Sequence, residues 1–105
     1  MSEKRKPTYD LEAFKLAFKK PVKLMATKTA LLGAAKLGFG RSEITQIIQT
    51  IQKGHFHKSM TSYSNHQIWQ DVYFVPSHIG TIYVKFTADV VCEFLLLSFK
   101  EKNNE

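Results

Sequence analysis

The chain has 105 residues, of which 44% are hydrophobic, and it carries a formal net charge of +6. A chain of this length forms one domain, covering residues 1–105, and buries roughly 60–65% of its unfolded surface. Its single cysteine excludes an internal disulfide and a thiolate metal site, which fits a reducing compartment. The basic charge favours an anionic partner, such as nucleic acid or an acidic protein surface.

The distribution of apolar residues along the chain bears on where the protein is located. No apolar run reaches the roughly 18–20 residues that cross a bilayer, and the N-terminus lacks the apolar core of a secretory signal. We therefore expect a cytoplasmic protein with no membrane partner. Residues 1–7 contain Lys4, Arg5 and Lys6, and we interpret them as a flexible basic tail.

Three helices are predicted in the first half of the chain. The first follows Thr8 as its N-cap and ends before Pro21, because proline disfavours helix in the residue before it. Residues 22–26 are compatible with a linking loop or an edge strand, and we favour the loop. The apolar positions of this first helix are Leu11, Phe14, Leu16 and Phe18.

The second and third helices are separated by a glycine-containing corner. Thr27 or Thr29 is suited to cap the second helix, and Gly38 and Gly40 are predicted to end it with positive φ. Ser42 is predicted to open the third helix. The apolar stripe of the third helix, which we assign to the core, is Ile44, Ile47, Ile48 and Ile51.

The second half of the chain shows the two-residue period of strands. A polar link at 63–67, with the serine and asparagine content of a turn, separates the first two strands of a predicted hairpin. Residues 76–80 separate the second strand from the third, and a connection near Asp89 precedes the fourth. The predicted strands are 56–62, 68–73, 81–87 and 91–99. Helices followed by an antiparallel sheet indicate an α+β domain.

The register of the last hairpin follows from its apolar positions, because residues directly opposite on antiparallel strands point to the same face. We predict that Ile82, Val84 and Phe86 share the core face with Leu95, Leu97 and Phe99. With a four-residue connection at 90–93, this register places Tyr83 opposite Lys100. The competing register buries Cys92, Phe94 and Leu96 instead, and would bury the charge of Lys100.

The stretch 54–73 concentrates cationic, amide, hydroxyl and aromatic side chains. Its segment 57–73, His-Lys-Ser-Met-Thr-Ser-Tyr-Ser-Asn-His-Gln-Ile-Trp-Gln-Asp-Val-Tyr, closely resembles the central segment of MqsR-type toxins, which are messenger-RNA interferases with a RelE-like fold. The similarity continues at Thr-Ala-Leu-Leu (29–32), at Tyr83 with Lys85, and at Ser-Phe-Lys-Glu-Lys (98–102). The resemblance implies N-terminal helices packed on a C-terminal antiparallel sheet.

The resemblance also implies a set of catalytic residues, namely Lys58, Gln70, Tyr83 and Lys100. Cleavage of RNA through the ribose 2′-hydroxyl requires deprotonation of that hydroxyl, stabilisation of phosphorane charge and protonation of the departing 5′ oxygen. Lysines are suited to hold the phosphate, a tyrosine to donate a hydrogen bond or a proton, and a glutamine only to orient. This chemistry needs no metal or other cofactor, and which residue is acid or base stays open.

Aromatic and histidine side chains supply further candidates. Tyr63, in the predicted turn, is suited to stack on an unpaired base, and Lys85, on the same basic face as Tyr83, is a second candidate for RNA binding. Trp69 alternates with Gln70 and is expected to be buried. His55 and His57 are expected on the strand face opposite Lys58, which argues against a histidine in its site, and their spacing does not indicate a zinc site.

The resemblance further implies partners. The substrate would be messenger RNA with a preference for GC-containing sites, and the toxin would be neutralised by a cognate antitoxin that contains zinc and binds DNA. Operator DNA would then be contacted only through the antitoxin. The alternative hypothesis is a non-catalytic basic module that binds RNA or an acidic protein through the same lysines.

Overall fold

The computed structural model describes residues 2–88 and 94–102. Within these residues, three α-helices and a five-stranded antiparallel sheet confirm the predicted α+β class. Short 3-10 turns occupy Pro21–Lys23 and Lys53–His55. The helices and strands are β1 (Glu3–Lys4), α1 (Leu11–Ala17), α2 (Lys28–Lys36), α3 (Arg41–Gln49), β2 (Phe56–Thr61), β3 (Trp69–Ser77), β4 (Gly80–Ala88) and β5 (Phe94–Glu101). No helix in this part of the chain is long and apolar enough to cross a membrane.

The strands lie in sequence order, and side-chain alternation gives the sheet two different faces. One face packs on the helices: the rings of Phe14 in α1 and Phe86 in β4 are stacked with centroids 3.7 Å apart. Its buried residues include Tyr73, Val75, Ile82, Val84 and Phe99. The opposite face, which we call the outer face, carries Lys58, Met60, Gln70, Val72, Phe74, Tyr83, Lys85, Ser98 and Lys100.

The N-terminal segment, for which the sequence predicts a flexible basic tail, contains the short edge strand β1 (Glu3–Lys4). Glu3 and Lys4 pair with Met60 and Ser59 of β2. The segment is held further along by Asp71, whose fully buried carboxylate accepts hydrogen bonds from the backbone N–H groups that follow Pro7. Burial without such donors would be costly for a carboxylate, so these bonds fix the segment against the sheet.

The first two helices begin with side-chain caps. Asp10, not Thr8, caps α1: its Oδ1 accepts from the N–H groups of Glu12 at 2.9 Å and Ala13 at 3.3 Å. Thr8 instead donates its backbone N–H to Asp71. At α2, Thr27 is the cap and its hydroxyl accepts from the N–H of Ala30, which decides between the two threonines that the sequence offered.

The two glycines between α2 and α3 have different roles. Gly38 has a φ of 80°, as predicted for the residue that ends α2. Gly40 has a φ of −96° and is the N-cap of α3, which therefore begins before Ser42. Its N–H donates to the Glu43 carboxylate at 2.7 Å, a charge-assisted bond in the first turn.

The apolar positions predicted for the helices are mostly buried. The isoleucine stripe of α3 is confirmed, because Ile44, Ile48 and Ile51 are buried. Leu16, a predicted apolar position of α1, is 71% exposed.

Residues 22–26 combine both predicted possibilities. A 3-10 turn comes first, and Ala26 then forms a parallel bridge with Leu96 at the edge of β5. The Leu96 N–H donates to the carbonyl of Met25, and the Thr27 N–H donates to the carbonyl of Leu96. This edge of the sheet is therefore partly satisfied within the chain, which limits its pairing with another molecule.

The turn between β3 and β4 is tighter than the predicted 76–80. Pro76 pairs with Thr81, so β3 extends through the proline to Ser77, and only His78 and Ile79 lie outside the strands. Proline is tolerated there because it lies at the end of the strand, next to the turn.

The last hairpin contains both registers that the sequence allowed. Tyr83 pairs with Lys100 and Val84 with Phe99, as predicted, but the register shifts after Lys85 so that Phe86 pairs with Leu96. The prediction that Leu95 and Leu97 are core residues is therefore wrong: Phe94 and Leu96 are buried. A β-bulge in β5 explains why both registers occur, because one extra residue in the strand reverses which side chains face the core. The connection predicted at 90–93, with Cys92, lies outside the described residues.

Candidate functional site

A second β-bulge lies in β2 and decides which side chains meet on the outer face. Phe56 pairs with Tyr73 and Lys58 with Val72, so His57 is an extra residue between the two pairs. Strict alternation would place His57 and Lys58 on opposite faces. The bulge turns both toward the outer face instead, and the expectation that His57 faces away from Lys58 is wrong.

Lys58 and His57 belong to the wall of a cleft on the outer face. The cleft has a volume of about 300 Å³ and draws its lining from β2, β3, β4 and the end of β5. The lining residues are His57, Lys58, Phe74, Tyr83, Lys100, Glu101 and Lys102. Three of the four predicted catalytic residues, Lys58, Tyr83 and Lys100, therefore converge here, together with residues that the sequence analysis did not select.

Aromatic rings form the floor of the cleft and hold cations over it. The imidazole of His57 is stacked on Phe74 with ring centroids 4.1 Å apart. The Lys100 ammonium lies 5.1 Å from the centroid of the Tyr83 ring, and the Lys102 ammonium lies 5.1 Å from that of Phe74. These cation–π contacts hold two ammonium groups against aromatic rings of the cleft lining and leave their charge in place.

Lys58 forms an ion pair with the N-terminal strand. Its Nζ lies 2.7 Å from the Glu3 carboxylate, and the bond to Lys58 lowers the pKa of Glu3 below its usual value. Lys85 lies in the same row of the sheet, since Lys58 and Lys85 each pair with Val72. Burial, and then the charges of Lys100 and Lys58, lower the pKa of Lys85. A negatively charged ligand is the natural complement of such a group of cations.

Three predicted site residues, Gln70, Lys85 and Tyr63, do not line the cleft. Gln70 is on the outer face but pairs with Met60, so it lies beyond the row of Lys58 and does not line the cleft. Tyr63 is in the loop between β2 and β3 and is 87% exposed. Trp69, expected to be buried, is only half-buried, and the Lys4 ammonium lies 4.3 Å from its ring centroid. The N-terminal strand therefore contacts Trp69, an interaction that the sequence did not predict.

Titratable groups in the cleft are shifted in opposite directions. Burial raises the pKa of the Tyr83 phenol, so this group keeps its proton at neutral pH and is a donor. Burial, followed by the positive charges of Lys58 and Arg5, lowers the pKa of His57, so its imidazole is largely neutral at the same pH. A neutral imidazole, a protonated phenol and nearby ammonium groups are a set suited to general acid–base chemistry at a phosphate.

The bulge residue has no direct signal in the sequence. A two-residue period predicts faces only while the ladder is regular, and one extra residue inverts the assignment on one side of it. At the bulge, the Arg5 guanidinium donates a hydrogen bond 3.4 Å long to the His57 carbonyl. Residues from the N-terminal strand were missed because they join the site only through pairing with β2.

Comparison with known proteins bears on this site. A family model described as "Motility quorum-sensing regulator, toxin of MqsA" matches residues 6–101 of the chain. The mRNA interferase toxin MqsR of Escherichia coli (strain K12) is 43% identical over 76 residues, which cover 72% of this chain and 76% of the relative. The matched region contains every element from α1 to β5, so the chain belongs to the family of motility quorum-sensing regulator toxins.

Proposed function

We propose that the chain is an endoribonuclease that cleaves messenger RNA and acts as the toxin of a toxin–antitoxin pair. The observation that carries this proposal is the convergence of Lys58, Tyr83 and Lys100 on one cleft, in a chain similar to an mRNA interferase. Translation and growth would stop because messenger RNA is destroyed in the cytoplasm. The cleft lies on an open sheet face, where an extended single strand can lie across β2, β4 and β5.

The proposed reaction uses the ribose 2′-hydroxyl as the nucleophile and requires no metal. Attack of the 2′ oxygen on the adjacent phosphorus adds negative charge to the phosphate, which the ammonium groups of Lys58 and Lys100 in the cleft would stabilise. The Tyr83 phenol, which keeps its proton at neutral pH, would donate to a phosphate oxygen or to the departing 5′ oxygen. Gln70 and Lys85 would contact RNA beside the cleft, and Tyr63 would stack on a base.

The test uses purified protein and a long transcript in excess chelator, with the 5′ ends of the products mapped. We expect discrete cuts, at GC-containing sites if this chain shares the preference implied by the resemblance. Lys58→Ala should reduce the cleavage rate by about 10²-fold or more, since it removes one charge-stabilising group. Lys19→Ala, at an exposed position after α1, is the matched control and should cleave normally.

A non-catalytic basic module is the competing function, and the same experiment separates the two. An intact transcript that is nevertheless bound tightly by the wild-type protein would support the module and contradict the nuclease. Product ends also discriminate the chemistry: attack by the 2′-hydroxyl leaves a 2′,3′-cyclic phosphate and a 5′-hydroxyl. A 5′-phosphate on the products would contradict the proposed nucleophile.

The proposal includes an antitoxin partner, which the resemblance suggests is a zinc-containing, DNA-binding protein through which operator DNA is contacted. Lys58, Lys85 and Lys100 present positive charge on the outer face, so an acidic antitoxin surface would associate quickly and with a strong dependence on salt. The product of a neighbouring reading frame is the candidate. Binding that is insensitive to salt and leaves RNA cleavage unchanged would contradict this part of the proposal.

A further inference from the structure

His57 lies in the cleft only because β2 is bulged, and its surroundings give it a chemical role. The bulge turns its side chain toward Lys58, and the ring is fixed in plane by stacking on Phe74 at 4.1 Å. A ring held flat against an aromatic floor keeps one orientation, as a catalytic group requires. Histidine is also the side chain that ordinarily changes its protonation between pH 5 and 8.

We propose that His57 is the general base of the cleavage reaction, the group that removes the proton from the attacking ribose 2′-hydroxyl. This inference rests on the proposed nuclease function and assigns a residue to a step that lysines perform poorly. An ammonium must first lose its proton to act as a base, whereas a neutral imidazole accepts one directly. The lysines of the cleft are thereby left to stabilise the charge of the phosphate.

The step balances without any additional reactant. The proton of the 2′-hydroxyl moves to an imidazole nitrogen of His57 while the 2′ oxygen forms its bond to phosphorus. The bond from phosphorus to the 5′ oxygen breaks, and that oxygen takes the phenolic proton of Tyr83, across the cleft. The products are a 2′,3′-cyclic phosphate and a 5′-hydroxyl, and both side chains return to their starting protonation by exchange with water.

Burial and the titratable neighbours on several elements together set the protonation state of the ring. Glu3 and Arg5 face it from the N-terminal segment, Lys58 from β2, Tyr83 from β4, and Lys100, Glu101 and Lys102 from the end of β5. Burial, then Lys58 and Arg5, lower the pKa of His57, and Glu3 opposes them. The neutral, base-competent form therefore prevails at pH 7 and is lost when the pH falls below that lowered value.

The experiment measures single-turnover cleavage from pH 5 to pH 8 with an oligonucleotide built around a cut mapped in the long transcript. For the wild-type chain we expect the rate to rise about tenfold per pH unit on the acid side and to level off at a lower pH than an imidazole of ordinary pKa would give. His57→Gln keeps a neutral polar side chain and should lower the plateau by about 10²–10⁴-fold, the contribution typical of general base catalysis. The fall in rate on the acid side of the pH profile, which we call the acid limb, should be absent in His57→Gln.

A control variant and two further measurements separate chemistry from structure. His78→Gln, in the exposed turn between β3 and β4, is the matched control and should retain the wild-type profile. Added imidazole should restore part of the activity of His57→Ala, which a purely structural defect would not allow. Binding of an RNA with a 2′-deoxy substitution at the cut should change less than about threefold in His57→Gln, since a base acts on the rate of the chemical step.

Each outcome has one interpretation. Wild-type protein that cuts the transcript, with an acid limb that persists unchanged in His57→Gln, overturns the role of His57 and leaves the nuclease intact. A loss of cleavage in His57→Gln that follows entirely from weaker RNA binding also overturns it. Wild-type protein that does not cut RNA at all overturns the nuclease function itself, and the assignment of a base with it.

Discussion

Tyr83 and Lys100 lie directly opposite each other on β4 and β5, and the ammonium of Lys100 rests 5.1 Å from the centroid of the Tyr83 ring. The pair delivers a phenol and a cation to the same cleft. Neighbouring positions in the same hairpin are shifted by a bulge, but the pair lies beyond it, toward the turn between β3 and β4. The geometry of the candidate site is therefore built into the sheet and not into a mobile loop.

The phenol of Tyr83 can be tested without disturbing its ring. Tyr83→Phe keeps the contact with the Lys100 ammonium and the packing against Phe74, whose centroid is 6.0 Å away. We expect cleavage to fall by about 10²-fold or more because the proton donor is lost. The free energy of unfolding should change by about 1 kcal/mol or less, because the half-buried ring keeps its packing and only the hydroxyl is removed. Cleavage within twofold of wild type would exclude the phenol from the reaction.

The ion pair between Glu3 and Lys58 gives a second prediction. A substrate phosphate must compete with the Glu3 carboxylate for the Lys58 ammonium, 2.7 Å away. Glu3→Gln should therefore bind RNA more tightly, measured by fluorescence anisotropy with a 2′-deoxy analogue. Since Glu3 raises the pKa of His57, the acid limb of the cleavage rate should also move to lower pH in this variant.

Lys4, in the same strand as Glu3, provides the control variant for this prediction. Lys4→Gln removes a charge that contacts the Trp69 ring and not the cleft, and we expect no increase in RNA affinity from it. Weaker RNA binding by Glu3→Gln would contradict competition and would indicate that the carboxylate orients Lys58 for the substrate.

Gly33 in α2 allows the contact between this helix and β5. A Cβ at this position would collide with the backbone carbonyl oxygen of Phe99 and would lie 3.4 Å from the Cβ of Lys100. Gly33→Ala should lower the free energy of unfolding by about 1–3 kcal/mol, the usual cost of overpacking. Since β5 carries Lys100, cleavage should fall as well. Both quantities are measured on the purified variant by urea unfolding and transcript cleavage.

Gly54→Ala is the control for Gly33→Ala. It lies in the 3-10 turn before β2, where an added Cβ would meet open space. Gly54→Ala is expected to leave stability unchanged or to raise it by about 0.4–1 kcal/mol, through the lower entropy of the unfolded chain. Equal destabilisation by the two substitutions would show that the approach of α2 to β5 is not the cause.

Asp71 is the buried carboxylate that ties the N-terminal segment to the sheet. It accepts hydrogen bonds from the backbone N–H groups of Thr8, at 3.1 Å, and Tyr9, at 2.9 Å. Asp71→Ala leaves these donors without their charged acceptor and should lower the free energy of unfolding by about 2–4 kcal/mol. Asp10→Ala, which removes an exposed helix cap, should cost only about 0.5–2 kcal/mol.

A further readout distinguishes the two aspartates. Loss of Asp71 should free the N-terminal segment and speed hydrogen exchange at residues 3–4 and 59–60, which pair in the sheet. Loss of Asp10 should affect α1 alone. If exchange in the N-terminal strand is the same in both variants, the carboxylate of Asp71 does not anchor it.

Local patterns in the amino-acid sequence were enough to predict the fold class and the order of α1–α3 and β2–β5, although the N-terminal strand β1 was not predicted. Periodicity was sufficient for the isoleucine stripe of α3, which depends on regular helix geometry, and it predicted the pairing of Tyr83 with Lys100 in the part of the β4–β5 hairpin beyond the bulge. Family resemblance then selected Lys58, Tyr83 and Lys100 from among fifteen lysines and arginines and four tyrosines.

Which side chains share the cleft depends on the folded chain as a whole. Two bulges, in β2 and β5, each insert one residue and reverse the faces that alternation predicts, so His57 joins Lys58 and Leu96 replaces Leu97 in the core. Glu3 reaches Lys58 through a strand pairing that spans more than fifty residues of chain. Such contacts depend on long-range packing and backbone irregularity, which a local period in the sequence does not encode.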